Sequence, residues 1–321
     1  MLGVSGVSVI FGGGLSPDDV GARVSVRHRR PDGVADVIGD LDFLDADQLT
    51  LRPSDGSVVV IDMGSVVAAR IVGPSARSAR ELEAVAGRSW PAAEEAWLGR
   101  WWLRAAGGFS ARANSVRPLG DPGRPFDDAL GDATAWYSER SLPTMLRTVV
   151  GTSADRELHR RGWGTQWETS MRTATIASMR RRLIGVPASA VQLTAHPPAA
   201  WLRRYREGAL PPIAVSVLSG GPGVGFATIE SAAGGPAIAI GRVSVEPPWA
   251  GFAAIEVSPE ARRQGYGRTV MAALVEWAIE RSAIRCWLEV LVDNAPAIAM
   301  YDALGFTEHY RYRYRTLPRS D

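Results

Sequence analysis

The sequence predicts an α+β protein. A mixed, largely antiparallel central sheet flanked by helices should occupy residues 186–321, preceded by a degenerate copy of that unit over 78–184 and a small all-β barrel over 1–75. Three observations lead there. Short β-rich segments separated by turn residues fill the first 75 positions. The chain matches itself at an offset of 141 residues. Finally, an apolar run, Phe252 to Val257, meets a Ser258-Pro259 stop, then Arg262-Arg263-Gln264-Gly265-Tyr266-Gly267, then an apolar-periodic segment reaching about Ile284. That order reads as strand, turn and helix.

In the N-terminal module, Val20 to Val26, Ala35 to Phe43, Gln48 to Pro53, Ser57 to Asp62 and Ser65 to Val72 are rich in β-branched residues. Pro31-Asp32-Gly33, Asp45-Ala46-Asp47 and Pro53-Ser54-Asp55-Gly56 separate them. Strands this short and evenly spaced suggest a small barrel. Arg27-His28-Arg29-Arg30 falls at one hairpin tip, where a charge run is usually solvated. Gly12-Gly13-Gly14 lacks the strand before and helix after that a nucleotide loop needs.

Ala76 to Arg104 reads as a helix with Trp97, Trp101 and Trp102 on one face, and Phe109 to Val116 as a strand. The repeat begins here. At an offset of 141, Val116 meets Val257, Pro118 meets Pro259, Trp136 meets Trp277, and Glu139-Arg140-Ser141 meets Glu280-Arg281-Ser282. With two more residues of offset, Ala154 meets Ala297 and Gly162-Trp163 meets Gly305-Phe306. Where the second copy has its Gly-x-Gly loop, the first has Asp121-Pro122-Gly123-Arg124-Pro125-Phe126, with an acid and prolines that lack N–H donors. The first copy should therefore not hold phosphate. Its expected role is to complete the sheet and wall an acceptor pocket, with Arg112, Asn114, Trp136 and Tyr137 as substrate contacts or, equally, the aromatics as core and Arg112 as a surface strand residue.

In the C-terminal module Pro187 to Pro198 reads as a linker and Ala199 to Glu207 as a short helix. Ile213 to Leu218 and Gly223 to Glu230 look like a hairpin around Ser219-Gly220-Gly221-Pro222, and Ala237 to Val245 with Phe252 to Val257 continue a meander. Glycines at 265 and 267, at a helix start, let backbone amides close on an anion without Cβ atoms in the way. A pyrophosphate fits there, although the same spacing also serves a plain tight turn. Cys286 to Val292 reads as a strand, and the tail Tyr310 to Arg315 alternates as an edge strand does.

The run DNAPAIAMYDALGF then supplies Asn294, Ala297, Tyr301, Gly305 and Phe306. Arg-x-x-Gly-x-Gly, a helix, a Leu-Glu-Val strand and Asn-x-x-Ala-x-x-x-Tyr-x-x-x-Gly-Phe, in this order over about residues 213–316, resemble the Gcn5-related N-acetyltransferase (GNAT) superfamily. The N-terminal barrel resembles the SH3-like barrel that precedes this domain in an actinobacterial type. The resemblance implies an acetyl-CoA-dependent transferase acting on a primary amine. It implies that the amides of Gln264, Gly265, Tyr266, Gly267 and Arg268 hold the pyrophosphate, and that Arg262, Arg263 and Arg268 add charge. It further implies that the Ile255 to Ser258 backbone pairs with the pantetheine arm and that the amide of Val257 polarises the thioester. Tyr301 and Glu289 fall where bacterial ribosomal-protein alanine N-acetyltransferases carry their acid and base, with Glu256 and Glu246 as alternative bases. Asn294 bonds pantetheine or caps the next helix. Leu291 stands where those enzymes carry arginine, and the two extra modules set this chain apart, so their substrate does not transfer.

Composition sets the outer limits. A formal charge of +2, with all 36 basic residues arginine, provides no global field for nucleic acid. One cysteine, Cys286, rules out an internal disulfide and fits a reducing cytoplasm. Leu2 to Phe11 lacks the basic start of a signal peptide, and no apolar run is long enough to span a membrane. Histidines at 28, 159, 196 and 309 have no metal-ligand spacing. An acyl-CoA-binding regulatory or adaptor protein, with the barrel reaching a protein partner, is the alternative to an enzyme.

Overall fold

A computed structural model describes residues 15–53, 55–72, 76–205, 210–231 and 234–317. Leu2 to Phe11, the triple glycine at 12–14 and the end of the helix expected to reach Glu207 lie outside them. Strands β1 (Arg23–Arg30), β2 (Gly33–Leu44), β3 (Gln48–Pro53), β4 (Val59–Asp62) and β5 (Val66–Ile71) form a five-stranded sheet in the order β4-β3-β2-β1-β5. Val24, Val26, Leu41, Leu49, Leu51 and Ile61 alternate inward and make its core. The basic run expected at a hairpin tip is instead the second half of β1, with His28 buried and Arg27 bidentate on Asp36 at 2.8 Å.

Helix α1 (Ala76–Arg88) is shorter than expected. Residues beyond it form a hairpin of β6 (Glu94–Leu98) and β7 (Trp101–Ala105), turning at Gly99-Arg100. Trp97 and Trp102, spaced as on a helix, become cross-strand partners whose rings stack at 5.3 Å. The strand expected over Phe109 to Val116 is a loop with a 3-10 turn at Ala111–Ala113, and β8 (Arg117–Pro118) follows. Then come α2 (Phe126–Ser138), β9 (Met145–Val149), α3 (Ser153–Arg160), β10 (Gly164–Thr175) and α4 (Ile176–Arg182).

Inside the expected linker lies β11 (Gln192–Thr194), followed by α5 (Ala199–Arg204). The expected hairpin at Ile213 is corrected too, because Pro212–Ser219 is helix α6. It opens on a proline and buries Ala214, Val217 and Leu218 at helical spacing. The remaining elements are β12 (Gly225–Ile229), β13 (Ala239–Glu246), β14 (Trp249–Val257), α7 (Tyr266–Glu280), β15 (Arg285–Leu291), α8 (Ala295–Ala303) and β16 (Thr307–Thr316).

An eight-stranded sheet runs β11-β12-β13-β14-β15-β10-β16-β9. The two halves of the repeat interleave in it. β10, the last strand of the first copy, pairs with β15 of the second, and β16, the last strand of the second, pairs with β9 of the first. β10 and β16 pair antiparallel with each other, and Thr169 faces Tyr312, its own counterpart at the offset of 143. A pseudo-two-fold axis therefore passes through that pair. The tail is thus an interior strand, not an edge, and residues 78–184 and 186–321 share one sheet.

Corners at equivalent positions of the two halves match. Arg140 lies 3.8 Å over the Trp136 ring and Arg281 3.6 Å over Trp277. Ser141 and Ser282 have φ of 53° and 62°, and Gly162 and Gly305 have 76° and 88°. A β-branched residue would be strained at any of these four positions. Among the described residues no helix is long and apolar enough to cross a membrane.

Candidate functional site

β14 and β15 pair in parallel only from Trp249–Arg285 to Phe252–Leu288, and then separate. The β13–β14 register slips between Ile240 and Arg242, opposite Ala254, whose φ is 53°. Such a bulge re-aims a strand. Beyond it, Ser258 donates to Ile238 O at 2.8 Å, and antiparallel alternation turns the amides of Ile255 and Val257 away from β13, toward the gap. A cavity of about 440 Å³ opens there. Its walls include Ile255, Glu256, Glu289, Asn294 and Tyr301 from the second copy and Arg112, Trp167 and Thr169 from the first.

Past β14 the chain passes a 3-10 turn at Pro259–Ala261 and reaches the glycine loop. Arg263 and Gly265 have φ of 64° and 88°, and Gly265 caps α7. A Cβ at Gly265 would meet nothing within 4 Å, so the loop faces open space; the amides of Tyr266 and Gly267 have no preceding turn to bond, whereas that of Arg268 donates to Gly265 O at 2.9 Å. Arg262, Arg263 and Gln264 are exposed, while Arg268 holds Arg182 O at 2.6 Å. Amides, dipole and guanidinium groups together fit a pyrophosphate.

Tyr301 is 7% exposed and lines the cavity. Burial pushes its phenol up to about 12, slightly countered by Arg112. It therefore carries its proton at neutral pH. Asn294 caps α8, accepting from Ala297 N at 3.2 Å.

Glu289 is the main departure from the expected environment. Arg112 Nε lies 2.7 Å from one of its oxygens and Arg147 Nη1 2.6 Å from the other. Burial alone would raise its carboxyl, but Arg147 and then Arg112 outweigh it and hold the group at about 2. A carboxylate held by two guanidinium groups is a weak proton acceptor near neutrality. Of the alternatives, Glu246 is engaged by Arg88 at 2.8 Å outside the cavity, whereas Glu256 lines it.

Three expected acceptor contacts are also corrected. Asn114 accepts from Ala106 N and Gly108 N and donates to Phe109 O and Ser110 O, which uses its whole amide to hold a loop. Tyr137 is fully buried and donates to Arg104 O at 2.8 Å. Trp136 packs on Tyr137 and Arg140 in the core of the first copy. Arg112 alone of the four reaches the cavity.

Sequence reasoning missed the support behind the cavity. Glu83 of α1 accepts from Arg147 at 2.6 and 2.7 Å, from Arg117 at 2.6 Å and from the Tyr310 hydroxyl at 2.8 Å. Arg147 crosses the Tyr312 ring at 3.4 Å to reach Glu289. Met171 pairs with Glu289, and its repeat counterpart Tyr314 pairs with Arg147, so these two charged residues occupy equivalent places about the pseudo-axis. The signal was an offset of 142, between the two offsets that the aligned residues follow. A larger cavity, about 650 Å³, separates the barrel from the sheet, but none of its walls comes from residues 253–268.

Comparison with known proteins agrees with this geometry. A family model described as "Probable histone acetyltransferase Rv0428c C-terminal" matches residues 77–315, and one described as "Rv0428c N-terminal Sm-like domain", a small barrel close to the SH3-like form, matches 18–70. The "Probable histone acetyltransferase Rv0428c" of Mycobacterium tuberculosis is 30% identical over 313 residues, covering 92% of this chain and 94% of that protein. The "Uncharacterized N-acetyltransferase YobR" of Bacillus subtilis is 27% identical, covering 74% and 97%. Among solved structures, a tandem GNAT protein from the clavulanic acid biosynthesis pathway superposes with a TM-score of 0.52 at 17% identity over 78% of this chain and 92% of that one. A GCN5-related N-acetyltransferase from Kribbella flavida gives 0.53 at 17% over 78% and 97%.

Proposed function

The chain belongs to the GNAT superfamily of N-acetyltransferases, in the family of Rv0428c with its Sm-like N-terminal domain, and from that premise we propose that it transfers acetyl from acetyl-CoA directly to a primary amine bound in the cavity between β14 and β15. One observation carries this reading. The cavity is lined together by Ile255, Glu256 and Tyr301, and the glycine loop follows the strand that carries the first two.

In this proposal the amides of Gln264 to Arg268, with Arg262 and Arg263, hold the pyrophosphate, and the Ile255–Val257 edge takes the pantetheine arm as an added strand. Acetyl-CoA, when bound, supplies the activated acyl group. The Val257 N–H faces the carbonyl oxygen, a donor placement that is typically worth about 3 kcal/mol. Glu256 accepts the amine's proton, and Tyr301, kept protonated by burial, gives its own to the departing thiolate. Asn294 sets the first turn of α8 and hence the place of Tyr301, two turns on.

Calorimetric titration with acetyl-CoA tests the donor site, against a Gly265→Glu, Gly267→Glu double variant. Low-micromolar binding, about −8 kcal/mol, lost in the variant, supports it. Turnover of amines that falls in Glu256→Gln and Tyr301→Phe supports the chemistry. Binding without turnover on any amine would favour an acyl-CoA-sensing regulator, with the barrel contacting its partner.

A further inference from the structure

The wall behind the cavity holds more positive than negative charge. Arg104, Arg117, Arg147 and Arg242 are each 2% exposed or less, and Arg112 is their outlet to the cavity with 31% of its side chain exposed. Against these five arginines stand two buried carboxylates, Glu83 and Glu289. Glu95, 39% exposed, is 3.9 Å from Arg104.

These groups form one connected body. Arg112 and Arg147 share Glu289, and Arg147 and Arg117 share Glu83. Arg104 donates to the carbonyl of Arg112 at 2.6 Å and to that of Gly87 at 2.8 Å. The Trp90 ring is 5.0 Å from the guanidinium carbon of Arg112 and 4.9 Å from that of Arg242. Arg242 is held by the carbonyls of Leu218, Ser89 and Gly220, whose dipoles solvate its charge without cancelling it. Burial first, and then neighbouring arginines, pull Arg104 and Arg242 down to about 9, so both remain charged at neutral pH.

Excess charge in a low-dielectric wall projects into the nearest opening and draws in the opposite charge. The opening is the acceptor cavity. Arg112 meets Glu289 with its Nε 2.7 Å from one carboxylate oxygen and also lines the cavity, and its guanidinium carries further N–H donors. A second group there lacks a partner. The Tyr314 hydroxyl, on a side chain 4% exposed that lines the same cavity, has no hydrogen bond among the described residues. Trp167, Tyr205 and Tyr312 complete an aromatic surround.

Resting on the acetyltransferase reading above, we infer that the acceptor is a small amine carrying a carboxylate, with Arg112 and the Tyr314 hydroxyl receiving the carboxylate and Glu256 facing the amine. A basic peptide is disfavoured by the same wall. The reaction needs no further reactant. The amine nitrogen bonds the acetyl carbon, the carbon–sulfur bond breaks, and the amine proton leaves to Glu256 as the thiolate is protonated.

The test uses the full-length protein, with free amino acids, their carboxamides at the same amine, and a lysine-rich peptide as probes. Acetyl transfer is followed by thiol release, and binding without donor by thermal shift. The free acids should exceed their carboxamides by at least tenfold in kcat/KM, or protect the fold where the amides do not. Arg112→Gln should erase that difference and Arg112→Lys retain part of it. Tyr314→Phe should weaken the acids by a few-fold. Equal response of acids and amides, including no response, or preference for the lysine-rich peptide, overturns the inference. The thermal-shift arm needs no acetyl-CoA, so failure of the donor reading, seen in the titration, is distinguishable from failure of this one.

Discussion

The two copies share a frame and differ where chemistry would occur. Both turn a corner with a cation stacked on tryptophan and a serine at positive φ, and both bring a glycine into the last strand. Yet Asp121-Pro122-Gly123-Arg124 replaces the amide loop, Leu158 replaces Tyr301, and Arg147 stands where the second copy has Glu289. The lesson is a division of labour within one sheet. One copy keeps the glycine loop and Tyr301, while the other supplies a strand, Arg112 and most of the charged scaffold behind the cavity.

The largest expected effect comes from cutting the link across the pseudo-axis. Arg147→Met leaves Glu83 and Glu289 buried with one cation each fewer, and should cost about 3–5 kcal/mol in urea unfolding. An exposed ion pair such as Arg77–Glu81, removed in parallel, should cost well under 1 kcal/mol.

Next is the acid. Tyr301→Phe should lower kcat by about 10²–10³ with little change in KM for acetyl-CoA. The reverse graft, Leu158→Tyr, should confer no activity and cost about 1–3 kcal/mol, since Leu158 is fully buried in the first copy's core.

The donor loops offer a matched pair. Gly265→Glu with Gly267→Glu should weaken acetyl-CoA by more than about 100-fold, some 2.7 kcal/mol. Arg124→Glu, at the position aligned with Gly265, should leave affinity within about twofold, as calorimetry would show.

The smallest effect under ordinary conditions is with pH. Glu289 is depressed to about 2, so its stabilisation is present above the unfolded carboxylate value and disappears as pH falls from about 4.5 through 2. Glu83 is also lowered: burial opposes this, but Arg147 and Arg117 outweigh it. Acid unfolding monitored by circular dichroism should therefore start below about pH 4.5. Arg147→Met should flatten that slope. Tyr301 is raised, so in the proposed mechanism its contribution as acid is complete through neutrality, and loss of kcat to its ionisation should wait until beyond pH 10.

Much of this was legible in the chain. Turn residues, strand-length apolar runs and the Gly-x-Gly before a periodic segment act over a few residues, so the barrel strands, α7, β15 and the loop were read directly from sequence. Local pattern failed where two structures share it. Trp97, Trp101 and Trp102 suit a helix face or a hairpin, and the run at Ile213 suits a strand or a helix. Only tertiary packing chose, through Gly99-Arg100 in one case and burial of Ala214, Val217 and Leu218 in the other.

What the sequence by itself determined was the family and the glycine turn that opens α7, because each rests on spacing along one segment. What only the tertiary structure decided was the exchange of β10 and β16, the capture of Glu289 by Arg112 and Arg147, and the withdrawal of Asn114, Trp136 and Tyr137 from the cavity. Strand order and ion pairing join residues more than a hundred positions apart. No local preference encodes which partner a buried charge will find, so the pairing of Glu289 with two arginines became visible only in the fold.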